Sequence, residues 1–400
     1  MRILLAAPHP FYQERGTPIA VDLLLRALCE RRDTVDVLTF HEGEHRSHPG
    51  VTVHRIPAPP GIHDVGPGPS WKKLVCDLYF FVGMIRLLRG NRYDMIHAVE
   101  ESAFMAMLLK PLTKVPFIYD MDSALSTQIV DKYPLLRPFR PLLRGLESLP
   151  IRTAAAVVPV CEALAEEVRK RRTNNVVVLK DISLLDSAPP VSEGPSLREE
   201  LGISGSVSMY IGNLEPYQGI DLLLESFARL RSTVRTASLV VIGGAAGDVD
   251  RYTARAEGLG VRRVVHFLGP KPVEQLGLFM AQADVLVSPR IRGVNTPMKV
   301  YSYLHSAVPV LATDLPTHNQ VVTQDIARLA PAAVGSFAEA WRDLLENREA
   351  ALAMGQRAQA FIEREHSYNA FRTTVNALYD GLDQGPHHRY SQDTGGLNHR

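Results

Sequence analysis

Twice in this chain, about two hundred residues apart, a short apolar run passes through a glycine-bearing loop into an amphipathic segment. The first copy is Arg2-Ile3-Leu4-Leu5-Ala6-Ala7-Pro8, a loop reaching Arg15-Gly16-Thr17-Pro18, then a helical pattern through Leu23, Leu24 and Ala27. The second is Met209-Tyr210-Ile211-Gly212-Asn213, a loop through Pro216 to Gly219, then Leu223, Leu224, Phe227 and Leu230. A buried strand that feeds a helix through a glycine turn leaves unpaired N–H groups and the positive end of a helix dipole at the sheet tip, which suits an anion. Two such corners predict an α/β chain of two doubly wound, Rossmann-like domains facing an interdomain cleft, a layout suited to a two-substrate enzyme.

The bulk properties agree. Four hundred residues exceed what one core usually serves. Apolar content of 46% and charged content of 22% fit a globular protein. A net charge of +1 excludes a global field that draws nucleic acid, so any anion site must be local. Cys29, Cys76 and Cys161 show no metal or redox spacing, which points to a reducing cytoplasm. Ile3 to Ala7 is too short for a secretory signal. Leu74 to Leu88, interrupted by Asp77 and Arg86, is too short to span a bilayer. The stretch Trp71 to Arg89, basic at both ends, reads either as an ordinary domain helix or as one lying on a membrane surface.

Strand-like and helix-like runs alternate throughout, which predicts parallel sheets. The expected layout is a first domain over 1–180, a linker over 181–196 with Ala188-Pro189-Pro190 and Glu193-Gly194-Pro195, and a second domain over 197–365. A C-terminal helix over 366–383 and a polar tail over 384–400, expected to be disordered, complete it.

The segment richest in chemistry is Pro289-Arg290-Ile291-Arg292-Gly293-Val294-Asn295-Thr296-Pro297-Met298-Lys299, which follows the apolar strand Asp284 to Ser288. Thr296 suits an N-cap and Pro297 the first helical position. With Arg290, Arg292 and Lys299 beside that helix start, the segment reads as a diphosphate cradle. The plain alternative is a capped helix with solvated basic residues.

In the first half, Glu100-Glu101 follow a strand ending near His97, and Asp120 and Asp122 end the next strand. Open α/β sheets bind ligands at such strand ends, so His97, Glu100 and Asp122 are candidates to orient an acceptor hydroxyl or take its proton. Glu101 and Asp120 read as caps or solvated helix starts. Gly16-Thr17, with Arg15, offers a backbone N–H to a phosphate or an acceptor, or serves the turn alone. His41, His45, His48 and His54, near Glu42 and Glu44, lack metal spacing and read as a solvated loop. Gly243-Gly244-Ala245-Ala246-Gly247 lacks the dinucleotide fingerprint, and there is no P-loop, which argues against an NAD dehydrogenase and an ATPase.

Taken in order, Gly212-Asn213-Leu214-Glu215-Pro216-Tyr217-Gln218-Gly219, Val264-Val265-His266-Phe267-Leu268-Gly269, Ala283 to Pro289 and Ala307-Val308-Pro309-Val310-Leu311-Ala312-Thr313 resemble the donor half of family-4 glycosyltransferases. Gly16-Thr17 and Tyr93 to Ala98 fall where that family's acceptor half has its glycine loop and a site-facing strand end. The resemblance implies the GT-B fold, a C-terminal helix crossing back to the first domain, and transfer of a hexosyl group from a nucleotide-diphosphate sugar with retention. It implies no metal and no cofactor beyond the donor substrate.

The departures are specific. Where the family usually places Arg and Lys on the diphosphate, this chain has Asn213 and Gln218, and where it has two glutamates eight positions apart, it has Val294 and Ser302. The resulting expectation is a cytoplasmic glycosyltransferase of polysaccharide biosynthesis, either free or peripheral at the inner face of a membrane, with a glycan or lipid-linked acceptor. Glu100, Asp122 and Lys299 are its catalytic candidates. Gly16, Thr17, Gly212, Asn213, Gln218, Arg290, Arg292, Asn295, Thr296 and Ser302 are its donor-binding candidates. The absent carboxylates motivate a second reading, a catalytically silent GT-B protein serving as a partner or scaffold in glycan assembly.

Overall fold

The computed structural model describes residues 1–13, 16–66, 68, 70–172, 175–185, 196–293 and 296–383. Arg15, Val294, Asn295, most of the expected linker (186–195) and the tail from 384 lie outside the described residues. The chain forms two compact units, Met1–Lys180 joined by the described chain from Phe371, and Asp181–Ala370.

The first unit is built on β1 (Arg2–Ala6), β2 (Thr34–Thr39), β3 (Val51–Arg55), β4 (Met95–Val99), β5 (Phe117–Met121) and β6 (Ala156–Pro159). Their order is β3-β2-β1-β4-β5-β6, all parallel. Leu4, Leu5, Ile96, Ala98 and Ile118 are fully buried, as expected of strands covered by helices on both faces. Strand order reverses between β1 and β4, and the chain leaving β4 enters the helix Ser102–Thr113 at that switch point. The Ser102 hydroxyl bridges the two strand ends, lying 2.9 Å from the Ala6 carbonyl and 2.8 Å from the Val99 carbonyl. The C-terminal helix Tyr368–Asp383 buries Phe371, Val375, Leu378 and Tyr379. Within the first unit its Asp380 pairs with Arg31 at 2.7 Å.

The second unit repeats the plan with β7 (Val207–Ile211), β8 (Ser238–Ile242), β9 (Val265–Gly269), β10 (Val285–Ser288), β11 (Val310–Thr313) and β12 (Arg328–Ala330). The order β12-β11-β10-β7-β8-β9 again reverses at its first strand. Phe227, Phe337 and Trp341 fill one side of the sheet, and the Trp341 indole N–H donates to Ser208 Oγ at 2.8 Å. β12, three residues long, was not expected from the sequence, because so short a run carries no readable periodicity.

One local expectation is corrected. The helix after β10 spans Met298–His305, and its N-cap is Pro297, not Thr296. Pro297 sits at φ −63° and ψ 135°, so the chain is still extended there, and Thr296 turns its hydroxyl inward, where it has no hydrogen-bond partner among the described residues. Among the described residues, no helix is long and apolar enough to cross a membrane.

Candidate functional site

The tip of the second sheet gathers several of the expected residues. Tyr303 fixes the helix Met298–His305 to the end of β7: its hydroxyl accepts from the Ile211 N–H at 2.6 Å and donates to the Ile211 carbonyl at 3.0 Å. One helical turn earlier, Lys299 is thereby held over the first residue of the glycine loop. A Cβ on Gly212 would lie 3.0 Å from Lys299 Nζ, so the lysine packs closely over it, and its φ of +148° favours glycine on backbone grounds. Lys299 Nζ donates to Gln218 Oε1 at 3.0 Å and stands 4.0 Å from the centroid of the Tyr210 ring. At the loop's far end, a Cβ on Gly219 (φ +75°) would overlap the Pro289 carbonyl. The Ile291 N–H donates to Tyr217 O at 3.0 Å, which ties the loop to the segment after β10.

Arg290 is half-buried, with its guanidinium 5.3 Å from the Tyr217 ring centroid and its Nε donating to the Arg292 carbonyl at 2.7 Å. Neither Arg290 nor Lys299 pairs with a carboxylate among the described residues. Burial, and then the like charge of Arg290, push the Lys299 ammonium well below its ordinary pKa. Burial likewise lowers Arg290. Beneath them His318 is driven down to about 3, chiefly by burial, and so stays neutral. Its ring nitrogens lie 2.8 Å from Ser288 Oγ and 3.0 Å from Thr313 Oγ1. Two neighbouring cations without a counter-acid form a local field that an anion would relieve.

The other donor-side candidates lie differently. Asn213 is exposed, and its Oδ1 accepts weakly from the Glu215 N–H at 3.4 Å. Arg292 is exposed. Ser302 is 3% exposed and its hydroxyl accepts the Leu184 N–H at 3.0 Å, so it anchors the start of the unit to the helix. Tyr210, Tyr217 and Tyr303 escaped sequence reasoning. Tyr210 sits at the C-terminal end of an apolar strand, and that position was the available signal.

In the first unit, Gly16 opens the helix Gly16–Glu30 and Thr17 is its second residue. A Cβ on Gly16 would meet nothing within 4 Å, and its φ is not in the left-handed range, so no steric demand explains the glycine. His97 is fully buried with both nitrogens engaged, Nδ1 with Tyr379 Oη at 2.8 Å and Nε2 with Asp120 Oδ2 at 3.1 Å. Asp120 is therefore a partner of His97 and not merely a cap. Asp122 is half-buried just beyond β5.

Glu100 adopts φ +50° and accepts the Ser123 hydroxyl at 3.3 Å. It belongs to a group with Glu101, Asp77 and Lys73. Lys73 pairs with Glu101 and donates to the Pro8 carbonyl at 2.8 Å. Glu101, expected as a cap, makes no side-chain cap bond. Burial, then the charge of Glu101, push Glu100 and Asp77 well above the usual carboxylate range. Lys73 and Asp77 lie one helical turn apart on Trp71–Gly90, a spacing visible in the sequence, but their meeting with Glu100 was not.

The histidine loop is also corrected. His48 pairs with Asp22 at 2.7 Å, and His54 lies in β3 and pairs with Asp36 at 2.8 Å. His41, Glu42 and His63 bring ligand-type atoms within 4.8 Å of one another. The Glu42 carboxylate accepts the Asp64 and Val65 N–H groups, and His41 Nε2 donates to the Ile62 carbonyl, so these contacts organise a loop.

Residues 15–180 match the family described as Glycosyl transferase 4-like domain, and residues 196–361 match Glycosyl transferases group 1. The D-inositol 3-phosphate glycosyltransferase of Corynebacterium aurimucosum is 28% identical over 219 residues, 52% of this chain and 51% of that protein. The phosphatidyl-myo-inositol mannosyltransferase of Mycobacterium leprae is 25% identical over 206 residues, 50% of this chain and 51% of that protein. The chain thus spans about half the length of the curated relatives it matches. Among solved structures, sucrose-phosphate synthase from Thermosynechococcus elongatus superposes with a TM-score of 0.77 at 17% identity, over 95% of this chain and 98% of that one. Anabaena HepE in complex with UDP-glucose gives 0.71 at 16%, over 95% and 100%. At these identities the likeness is one of fold, two Rossmann-like α/β domains of the GT-B kind.

Proposed function

We propose, for a chain that belongs to the group 1 glycosyl transferases, that it moves a hexosyl group from a nucleotide-diphosphate sugar to a glycan or lipid-linked acceptor, with retention and without a metal. The observation that carries this reading is the pair Arg290 and Lys299 at the tip of the second sheet, Lys299 held against Gly212, with no counter-acid beside them among the described residues. The donor diphosphate supplies the missing negative charge. Lys299 and Arg290 then hold its oxygens, and the N–H groups at the start of Met298–His305 add neutral donors. As the bond to the sugar breaks, charge grows on the leaving diphosphate, and these fixed groups stabilise it without reorganising. Gln218 orients the Lys299 ammonium, and Asn213 contributes a neutral contact in place of a cation. Glu100 and Asp122 serve the acceptor side, where Glu100, its pKa raised chiefly by burial, is suited to exchanging a proton with a hydroxyl near neutral pH.

The relatives' printed names support transfer onto an inositol phosphate or a phosphatidylinositol, and HepE is described with UDP-glucose. By that analogy the protein acts in the cytoplasm, peripheral to a membrane, in the assembly of a surface glycan.

A scaffold role is the second reading, favoured by the engagement of Ser302 with Leu184 where a carboxylate would be expected. Incubation with UDP-, GDP- and ADP-hexoses separates the two. The enzyme releases free nucleoside diphosphate from at least one donor, slowly to water and faster with an acceptor extract. Release from none at any protein concentration leaves the scaffold.

A further inference from the structure

The first unit contains a cavity of about 550 Å³, within the range that takes a small organic ligand. It lies against the helices Trp71–Gly90, Ser102–Thr113, Leu125–Lys132 and Arg140–Thr153. Leu74, Phe104, Ile129, Leu136, Leu143 and Leu146 supply most of its apolar wall. Its polar lining includes Lys73, Asp77, Glu100 and Glu101, three carboxylates against one ammonium, and a fourth carboxylate, Glu147, that is already engaged by Ser126 and Arg171. That ammonium is already spent on Glu101 and the Pro8 carbonyl. Asp77 Oδ1 is buried with no hydrogen-bond partner among the described residues. Trp71, Leu74 and Leu146 line the cavity and are also 66%, 71% and 47% exposed, so it opens to solvent through an apolar rim. Leu78 continues that rim along the first helix, and Leu142 along the last, at 63% and 61% exposed.

Each part limits the ligand. A plain sugar leaves the aliphatic wall wet, and a plain hydrocarbon leaves Asp77 Oδ1 desolvated without a donor. A phosphate beside the carboxylates meets like charge. What satisfies both is an aliphatic chain carrying an uncharged head rich in hydroxyl donors. We infer that this cavity binds the acceptor as a neutral glycolipid, its chain among Leu74, Leu143 and Leu146 and its sugar hydroxyls on Asp77, Glu100 and Glu101. The inference rests on the glycosyltransferase reading and narrows it: the head at this floor is not a phosphate, unlike those in the names of the curated relatives.

The chain has two tryptophans, and Trp341 is fully buried in the other unit, so a change in emission on binding here reports Trp71. The experiment titrates the full chain with n-octyl β-glucoside and, separately, n-octyl phosphate, each below its critical micelle concentration. The glucoside shifts Trp71 emission to the blue in a saturable way, and the phosphate binds at least tenfold more weakly. Leu146→Glu and Leu74→Glu, on opposite walls at exposed positions, each weaken the glucoside at least tenfold, and Asp77→Asn narrows the preference over the phosphate. No saturable shift, equal affinity for both amphiphiles, or glucoside binding unchanged in both wall variants overturns the inference. Nucleotide-sugar binding on the same sample keeps the two readings apart. Donor binding without glucoside binding sinks the cavity assignment alone, whereas glucoside binding without donor binding upholds the cavity and sinks the enzyme.

Discussion

Lys299 directs its ammonium at the Gln218 side-chain oxygen, 3.0 Å away, from across the glycine loop that begins at Gly212. A neutral amide orients the lysine and leaves its charge uncancelled. Gln218→Glu places a carboxylate at the same distance and neutralises that charge before any donor arrives. Affinity for nucleotide-diphosphate sugars is expected to fall at least tenfold, with folding stability retained or raised. Fluorescence titration paired with urea denaturation reads both quantities.

The depressed Lys299 pKa sets a sign for pH dependence. An anion at the site favours the charged lysine, so donor binding takes up a proton wherever the free lysine is partly neutral. Donor affinity therefore declines as pH rises toward the ordinary lysine range, and proton uptake appears as a dependence of calorimetric enthalpy on buffer ionisation. Lys299→Arg, which keeps its charge at all accessible pH values, removes that decline.

The carboxylates of the first unit make the opposite kind of statement, about stability. Asp77 is raised to about 7 by burial and by Glu101 and Glu100, against the partial relief of Lys73. A carboxyl whose folded pKa exceeds its unfolded value binds more protons when native, so stability is greatest below the unfolded pKa of about 4 and is lost as pH rises to about 7. Thermal denaturation of the wild type at pH 5 and pH 8 should show the higher midpoint at pH 5. In Asp77→Asn the difference shrinks.

Tyr379 brings the C-terminal helix to His97 through a fully buried 2.8 Å hydrogen bond. Tyr379→Phe leaves the His97 Nδ1 without its partner at a cost of about 1–3 kcal/mol. Chemical denaturation should record that loss, while donor affinity, which depends on the other sheet, stays within twofold.

Much of this fold was legible from the chain because short apolar runs bounded by glycine and proline leave few alternatives to parallel strands; Ile3 to Ala6 and Met209 to Ile211 are examples. Three-residue β12 fell below that resolution. Helix starts were readable to within about a residue, hence Thr296 for Pro297. The site was readable only where its residues share a local segment. Gly212, Gln218 and Gly219 could be named from one loop, and Arg290 and Lys299 from another. That Lys299 would cross to Tyr210 and Gln218 depends on the Tyr303 anchor to Ile211, a tertiary contact with no sequence period. The same holds for Asp77 and Lys73, whose spacing on one helix says nothing of Glu100, which reaches them through a left-handed turn at the end of another element.

The central claim is that Arg290 and Lys299 form a diphosphate cradle, and calorimetric titration with UDP-, GDP- and ADP-hexoses tests it most directly. The wild type should bind at least one donor. Because a charged hydrogen bond contributes roughly 1.5–3 kcal/mol, Lys299→Ala and Arg290→Ala should each weaken that donor by about 10- to 150-fold in a folded protein. Binding of none of the three by the wild type, or undiminished affinity in both variants, contradicts the account.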